Sequence, residues 1–505
     1  MKKETKTWCV SRILKKHRRI INRAYAKKNY ELVLETAEAS GYILSNWNQV
    51  YADDFLEEVL LKVSGELSIP QYKDKEKGMV LFYDGVGLDT RGLMLIYITA
   101  LLNLGYQVVY IVDKKKEGAQ KTLIKNVNNR ALILEYYDSH RSRLEVVNQI
   151  ADIFNKYKPE YAFLYSVSVD VAAAVAFERY KGITSRYYIT LSDHGFYLGN
   201  RACDYHLEFR DYGIFTSIYK RNISKEKLIK LPYYPFVDTG TPFAGFSFDT
   251  QNKKIVFSGG SLYKTYDSND IYYKIVRHIL DKHSDTIFVY AAQPDPIHEK
   301  KMQDLIEHYP QRVYLIPERK DLYALMQQAV VYLDTYPIGG GLMVQYAAAA
   351  GTFPLIIERD GQDGLLMNTG EKGIMLRDAD EVCAVADRII SDSEYRANKE
   401  KMLSGTVLTS EEFEKELKKA IENKKTSFKV IKEKFNIAQT EEEYINNFNV
   451  KANYRHAMLR DESNRLLKYY PVLWIEKKIF TVIHLLKMLW EKKDENTLFG
   501  IRSNS

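Results

Sequence analysis

The feature that most constrains the fold of this chain is a strand–helix alternation that occurs twice. In the first run, buried strand-like segments such as MVLFYDG at 79–85 and YQVVYIVD at 106–113 alternate with helical segments. A second run begins at KIVFSGG (254–260) and ends at TFPLIIE (352–358). Strands that alternate with crossover helices form parallel sheets with helices on both faces. The sequence therefore predicts an α/β chain with two doubly wound, Rossmann-like domains.

The boundaries of these domains follow from changes in composition. LPYYPFVDTGTP at 231–242 interrupts the alternation with three prolines and predicts an interdomain connection. Residues 10–68 carry apolar residues at helical spacing, and the chain becomes charged and helical from about Ser410. The predicted parts are an N-terminal helical domain (1–75), Rossmann-like domains at 79–235 and 245–405, and C-terminal helices at 410–505.

Composition excludes several classes of protein and of site. The three cysteines, Cys9, Cys203 and Cys383, lie far apart, which argues against a disulfide framework or zinc site and favours a cytoplasmic location. No nucleic-acid-binding motif accompanies the net charge of +7. No stretch is long and apolar enough for a membrane-spanning helix, and the basic N-terminus lacks the apolar segment of a signal peptide.

The C-terminal stretch LLKYYPVLWIEKKIFTVIHLLKMLWEKKDEN mixes aromatic and aliphatic residues with lysines at helical spacing. Two interpretations stay open. It can be a terminal helix that packs back across the two domains. Alternatively, it is a basic amphipathic helix that holds the protein peripherally at the inner face of a membrane.

Two loops have the composition of an anion-binding site. After the strand at 254–257, the small residues Ser258, Gly259 and Gly260 let a ligand approach the backbone, and Lys264 can neutralise a diphosphate. In VYLDTYPIGGGLMVQYAAAAG (331–351), glycines precede a helix, so exposed amides and the helix dipole favour a negative group at 340–343. A flexible turn with a solvated lysine, and a merely tight glycine turn, are the alternatives.

Together, three stretches resemble the catalytic half of the O-GlcNAc transferase family and its bacterial protein-N-glycosyltransferase relatives. They are SLYK at 261–264, LDT at 333–335 with its glycine turn and a helix ending in AG, and FYLGNRACDYHLEFRDYG at 196–213. The resemblance spans roughly residues 79–400. It implies the GT-B fold, in which two Rossmann-like domains face a cleft, and a UDP-sugar as the donor substrate.

The resemblance also implies roles for individual residues. Lys264 matches a lysine that contacts the donor diphosphate, and the turn at 341–343 matches amides that hold it. Arg319 falls near a basic residue beside the uracil. An acidic ribose contact of the family falls on Tyr346, next to Gln345, so the donor base or sugar can differ here. The predicted donor-binding residues are Ser258, Gly259, Gly260, Lys264, Arg319, Gly340, Gly341, Leu342, Met343, Gln345 and Tyr346.

The catalytic base does not transfer from the family, because its first-loop histidine falls on Leu88. Asp89, in the same predicted loop, is one candidate, and a helix cap is its structural alternative. His194 beside Asp193, after another predicted strand, is the second candidate, and a structural histidine is the alternative. The donor loops contain no DxD and no His/Cys cluster, so neither a metal nor another cofactor is expected.

These observations predict a cytoplasmic glycosyltransferase. It would transfer a hexose or N-acetylhexosamine from a UDP-sugar to a protein or surface-glycan acceptor, and would not bind nucleic acid. A nucleotide-sugar epimerase or hydrolase of the same fold is one alternative. A non-catalytic partner subunit of a glycosyltransferase complex is the other, because Tyr346 replaces the acidic residue.

Overall fold

The computed structural model describes most of the chain as two parallel β-sheets flanked by helices. The described residues are 3–47, 50–87, 92–119, 123, 127, 132–191, 193–296, 298–358, 366–367, 372–435, 466–472, 474–475, 477–479 and 482–483. The helices are Lys3–Ala26, Tyr30–Trp47, Asp54–Glu66, Gly92–Asn103, Arg143–Tyr157, Val171–Arg179, Asp211–Tyr219, Ile271–Lys282, Lys300–His308, Leu322–Met326, Gly341–Ala349, Ala379–Ser391, Ser393–Lys401 and Ser410–Asn423.

The first sheet has seven parallel strands in the order β3-β2-β1-β4-β5-β6-β7. Its strands are β1 (Glu76–Asp84), β2 (Gln107–Asp113), β3 (Leu132–Tyr137), β4 (Pro159–Tyr165), β5 (Ser185–Ile189), β6 (Tyr205–Glu208) and β7 (Leu228–Lys230). The strand order reverses between β1 and β4, and the loops that leave these two strands diverge there.

The second sheet has six parallel strands in the order β10-β9-β8-β11-β12-β13. Its strands are β8 (Lys254–Gly259), β9 (Thr286–Ala291), β10 (Val313–Ile316), β11 (Val331–Leu333), β12 (Pro354–Ile357) and β13 (Met375–Leu376). Here the order reverses between β8 and β11. Both sheets follow the Rossmann order, so the prediction of two doubly wound α/β domains is confirmed.

The two faces of the first sheet are covered by different parts of the chain. Leu81 and Leu164 share one core with Ile21 and Val33 of the N-terminal helices. Alternate strand residues such as Phe82 point to the other face, as the period-two geometry of a strand requires, and pack with the helices Gly92–Asn103 and Ser410–Asn423. Among the described residues, no helix combines the length and apolarity needed to cross a membrane.

Candidate functional site

The two glycine loops meet at the carboxyl ends of β8 and β11, where the strand order of the second sheet reverses. Lys264 lies in a short 3₁₀ turn, Leu262–Thr265, directly after β8. Its Nζ donates to the carbonyl oxygen of Gly339 at 3.4 Å, and its own carbonyl accepts from the Ile338 amide at 3.3 Å. The half-buried Lys264 therefore lies against the glycine turn, 75 residues further along the chain.

Asp334 stabilises this glycine turn through a hydrogen bond. Its Oδ1 accepts from the Gly340 amide at 2.8 Å, and its side chain is buried. Burial raises the pKa of Asp334 to about 6, against the opposing effects of the Gly340 amide and the Lys264 charge. The sequence reasoning missed this residue. The available signal was an aspartate directly after a buried strand and six residues before the central glycine.

The first turn of the helix Gly341–Ala349 faces the same place. Gly340 is the N-cap residue of this helix, and it has no side chain that could accept a hydrogen bond from a first-turn amide. The amides of Gly340 and Met343 are already engaged, with Asp334 and with the Gly340 carbonyl, the latter at 2.5 Å. The amides of Gly341 and Leu342 lie in the first turn, where a helix offers no internal acceptor. An anion contact for these two of the four predicted amides stays a prediction.

Ser258 and Gly259 end β8 and lead directly into the loop that carries Lys264. Ser258 is fully buried, and its Oγ accepts from the Tyr272 hydroxyl at 2.7 Å. A Cβ at Gly259 would lie 3.0 Å from the Met343 methyl and 3.1 Å from the Ala291 carbonyl oxygen. Gly260 has a φ of +134°, which side-chain-bearing residues rarely adopt. Glycine at 259 and 260 thus lets the loop pass close to β9 and the helix.

Arg319, Gln345 and Tyr346 make contacts within the protein. The Arg319 guanidinium forms two hydrogen bonds with Asp321, at 2.7 and 2.5 Å, and a third with the Gly245 carbonyl at 2.9 Å. Gln345 donates to the Tyr233 carbonyl at 3.0 Å, and the Tyr346 hydroxyl donates to the Phe236 carbonyl at 2.8 Å. The bonds of Gln345 and Tyr346 tie the glycine-turn helix to the interdomain connection. A donor contact for these three residues stays a prediction.

His194 lies after β5, at the carboxyl edge of the first sheet. Its Nδ1 is 3.2 Å from Oδ1 of the buried Asp193, and about a third of its side chain (31%) is exposed. Arg210 holds Asp193 in place through Nε at 2.6 Å and Nη2 at 2.9 Å. The arrangement is a histidine oriented by a carboxylate that an arginine fixes in turn.

The electrostatics of this group favour a neutral imidazole. Burial is the main cause that lowers the pKa of His194, and the Arg210 and Lys264 charges act in the same direction, while Asp193 opposes them. Burial alone would raise the pKa of Asp193. The charge and hydrogen bonds of Arg210 have the stronger effect and lower this pKa, so the carboxyl is ionised.

Asp89, the other predicted base, lies outside the described residues. The start of its loop is described: buried Asp84, at the end of β1, accepts from the Val86 and Gly87 amides at 2.9 and 2.8 Å and from the Tyr110 hydroxyl at 2.7 Å. Within the described residues, no three His, Cys, Asp or Glu side chains are grouped to hold a metal ion.

Comparisons with known proteins bear on the fold. No protein-family model matches the sequence, and no curated protein is significantly similar to it. A glycosyltransferase from Rickettsia africae has a similar structure, with a TM-score of 0.51 and 12% identity over 69% of this chain and 98% of that chain.

Two further solved structures lie below a TM-score of 0.5. An O-GlcNAc transferase mutant from Thermobaculum terrenum has a TM-score of 0.49 and 14% identity over 83% of this chain and 79% of that one. A UDP-GlcNAc 2-epimerase from Neisseria meningitidis bound to UDP-GlcNAc has a TM-score of 0.44 and 13% identity, over 68% and 99%. Together with the two Rossmann-ordered sheets, the Rickettsia structure shows that this chain has a GT-B glycosyltransferase-like fold.

Proposed function

We propose that this chain is a glycosyltransferase that transfers a hexose or N-acetylhexosamine from a UDP-sugar to a protein or surface-glycan acceptor. The observation that carries the proposal is the placement of Lys264, whose Nζ lies 3.4 Å from the Gly339 carbonyl, beside the first turn of the helix Gly341–Ala349. Lys264 and this helix turn lie where the strand order of the second sheet reverses, and open α/β sheets bind their ligands at such a position. The uridine part of the proposal rests on the family resemblance of SLYK and the glycine turn.

In the mechanism that we propose, residues of the second domain stabilise the leaving diphosphate. As the bond between the sugar and the diphosphate breaks, negative charge develops on the diphosphate. The Lys264 ammonium and the amides of Gly341 and Leu342 stabilise that charge, and the helix dipole adds to the effect. These groups do the electrostatic work without a metal ion.

The first domain would supply the base. His194 is neutral near pH 7 because its pKa is lowered, so its imidazole can accept a proton from an acceptor hydroxyl. Asp193 fixes the ring and stabilises the imidazolium that forms. Asp89 remains the second candidate for this role. We further propose a cytoplasmic location, in line with the isolated cysteines.

Incubation with UDP-sugars, with and without acceptor, tests the reaction class. NMR of the sugar and quantification of released UDP are the measurements. We expect acceptor proteins or bacterial surface glycans to increase UDP release, with the sugar covalently attached to the acceptor. An isomerised UDP-sugar formed in the absence of acceptor would contradict transfer and identify an epimerase.

A further inference from the structure

The N-terminal helix Lys3–Ala26 presents one strongly basic face. Five of its exposed cations recur at three- and four-residue spacing and therefore share one side of the helix, while exposed Arg18 lies off this side and pairs with Asp53 at 2.8 Å. The opposite side carries buried Ile20, Ile21 and Ala24. We call this set the basic face: Arg12, Lys15, Lys16, Arg19 and Arg23.

The end of the described chain presents an exposed apolar face. Residues 471–472, 474–475, 477–479 and 482–483 are helical. Five aliphatic residues at three- and four-residue spacing are exposed there by 53 to 74%. We call this set the apolar face: Val472, Ile475, Ile479, Val482 and Ile483. A contiguous exposed apolar surface of this kind marks an interaction site.

The two faces meet at Tyr469 and Tyr470. The Lys16 Nζ donates to the Tyr469 carbonyl at 2.5 Å and lies 3.8 Å from the centre of the Tyr470 ring. Just before these tyrosines, Leu466 and Leu467 are buried in the core that the N-terminal helices share with the first sheet. The segment is therefore anchored where it leaves the core, with its apolar face beginning beside the basic face.

We propose that the basic and apolar faces together dock the protein on an anionic phospholipid bilayer. The apolar side chains would enter the boundary between headgroups and acyl chains, and the cations would lie against lipid phosphates. Trp474, with the Lys478 Nζ 5.8 Å from its ring centre, has the amphipathic character that membrane interfaces favour. Charge complementarity argues against a second copy as the occupant, because a symmetric dimer would bring two basic faces together.

Cosedimentation of the full chain with lipid vesicles tests this proposal without any donor or acceptor. The probes are phosphatidylcholine vesicles with and without phosphatidylglycerol. We expect binding to the anionic vesicles that weakens as salt is added, because salt screens the cations. Lys15→Gln with Arg19→Gln should weaken binding about fivefold per charge. Ile475→Ser with Ile479→Ser should weaken it on the order of tenfold per residue.

Matched variants elsewhere on the surface serve as controls. Ile431→Ser replaces an isoleucine that is 86% exposed, and Lys415→Gln with Lys418→Gln removes two exposed charges from the helix Ser410–Asn423. Both should bind vesicles like the wild type. The proposal is overturned if the wild type does not sediment with anionic vesicles or if the face variants bind as strongly as the controls. A dimer that Ile475→Ser dissociates would equally overturn it, in favour of a second copy.

Discussion

At the residue scale, the candidate site consists of two groups that different domains supply. Lys264 follows β8 of the second sheet, and His194 follows β5 of the first sheet. The Lys264 charge contributes to the lowered pKa of His194. Each group is fixed by its own partners. Gly339 accepts from Lys264, while Asp193 and Arg210 orient the imidazole. The proposed base on one side and the Lys264 cation on the other would suit a reaction in which proton removal accompanies departure of an anion.

The proposed role of His194 gives a defined pH dependence. In the proposed mechanism its neutral form is the base, and a lowered pKa keeps that form populated below the ordinary histidine value of about 6.5. We therefore expect kcat/KM to fall on the acid side with a midpoint below that value. In Asp193→Asn the carboxylate that raises the pKa is lost, so the midpoint should move further toward acid pH. A pH–rate profile of both proteins is the measurement.

The matched variant for this profile is His194→Asn. It should lower kcat by about 100- to 10,000-fold, the usual contribution of a general base, while donor-induced thermal stabilisation stays as in the wild type. An acid limb at or above the ordinary histidine value, with no response to Asp193→Asn, would exclude His194 as the base and favour Asp89.

At the element scale, the family resemblance of the sequence placed both loops on one diphosphate, which implies that they meet, but it did not predict which amides bond within the protein. The meeting follows from strand order, since β8 and β11 are neighbours in a Rossmann-ordered sheet. The use of Gly340 depends on the direction of the Asp334 side chain, which the strand pattern does not contain. The contacts of Gln345 and Tyr346 join segments 112 and 110 residues apart, and no local pattern reports such pairs.

Gly340→Ala tests how tightly this turn is built. A Cβ at Gly340 would lie 3.1 Å from both Asp334 Oδ1 and the Tyr332 hydroxyl, and 3.3 Å from the Met343 Cβ. We expect the turn to shift, with a loss of stability of about 1–3 kcal/mol and weaker donor binding. Chemical denaturation and titration with a UDP-sugar are the measurements.

Gly65→Ala is the matched control for this change. A Cβ at Gly65, near the end of the helix Asp54–Glu66, meets nothing within 4 Å. Alanine there should leave donor binding unchanged and preserve or slightly increase stability, because alanine is the better helix former. Equal donor binding in Gly340→Ala and Gly65→Ala would show that the glycine turn is not part of the donor site.

At the scale of the whole molecule, terminal segments complete the first domain. The fully buried Phe413 packs edge-on against Tyr97, with ring centres 5.1 Å apart, so a helix that follows the second sheet returns to the core of the first. Glu57, from an N-terminal helix, accepts the Gly199 and Arg201 amides at 2.9 and 3.2 Å in the chain segment that follows His194. Burial raises the pKa of Glu57 to about 7.

These long-range contacts mark what the sequence pattern leaves open. Helical periodicity predicted that residues 10–68 and those after Ser410 form helices with an apolar face. Periodicity does not specify which surface covers that face, because any core of suitable size satisfies the same pattern. The two-domain α/β architecture was therefore predictable, and the assignment of terminal helices to the first sheet was not.

The central claim is that a UDP-sugar binds across the glycine turn and Lys264. Its most direct test is a calorimetric titration of wild type, Lys264→Ala and Lys254→Ala with a panel of nucleotide sugars. Lys254 begins β8 at its opposite end and pairs with Asp285 at 2.8 Å, so it is the control. We predict that a UDP-sugar binds wild type and Lys254→Ala alike, and Lys264→Ala about 10- to 100-fold more weakly. Equal affinity in all three proteins, or no binding of any nucleotide sugar, would contradict the account.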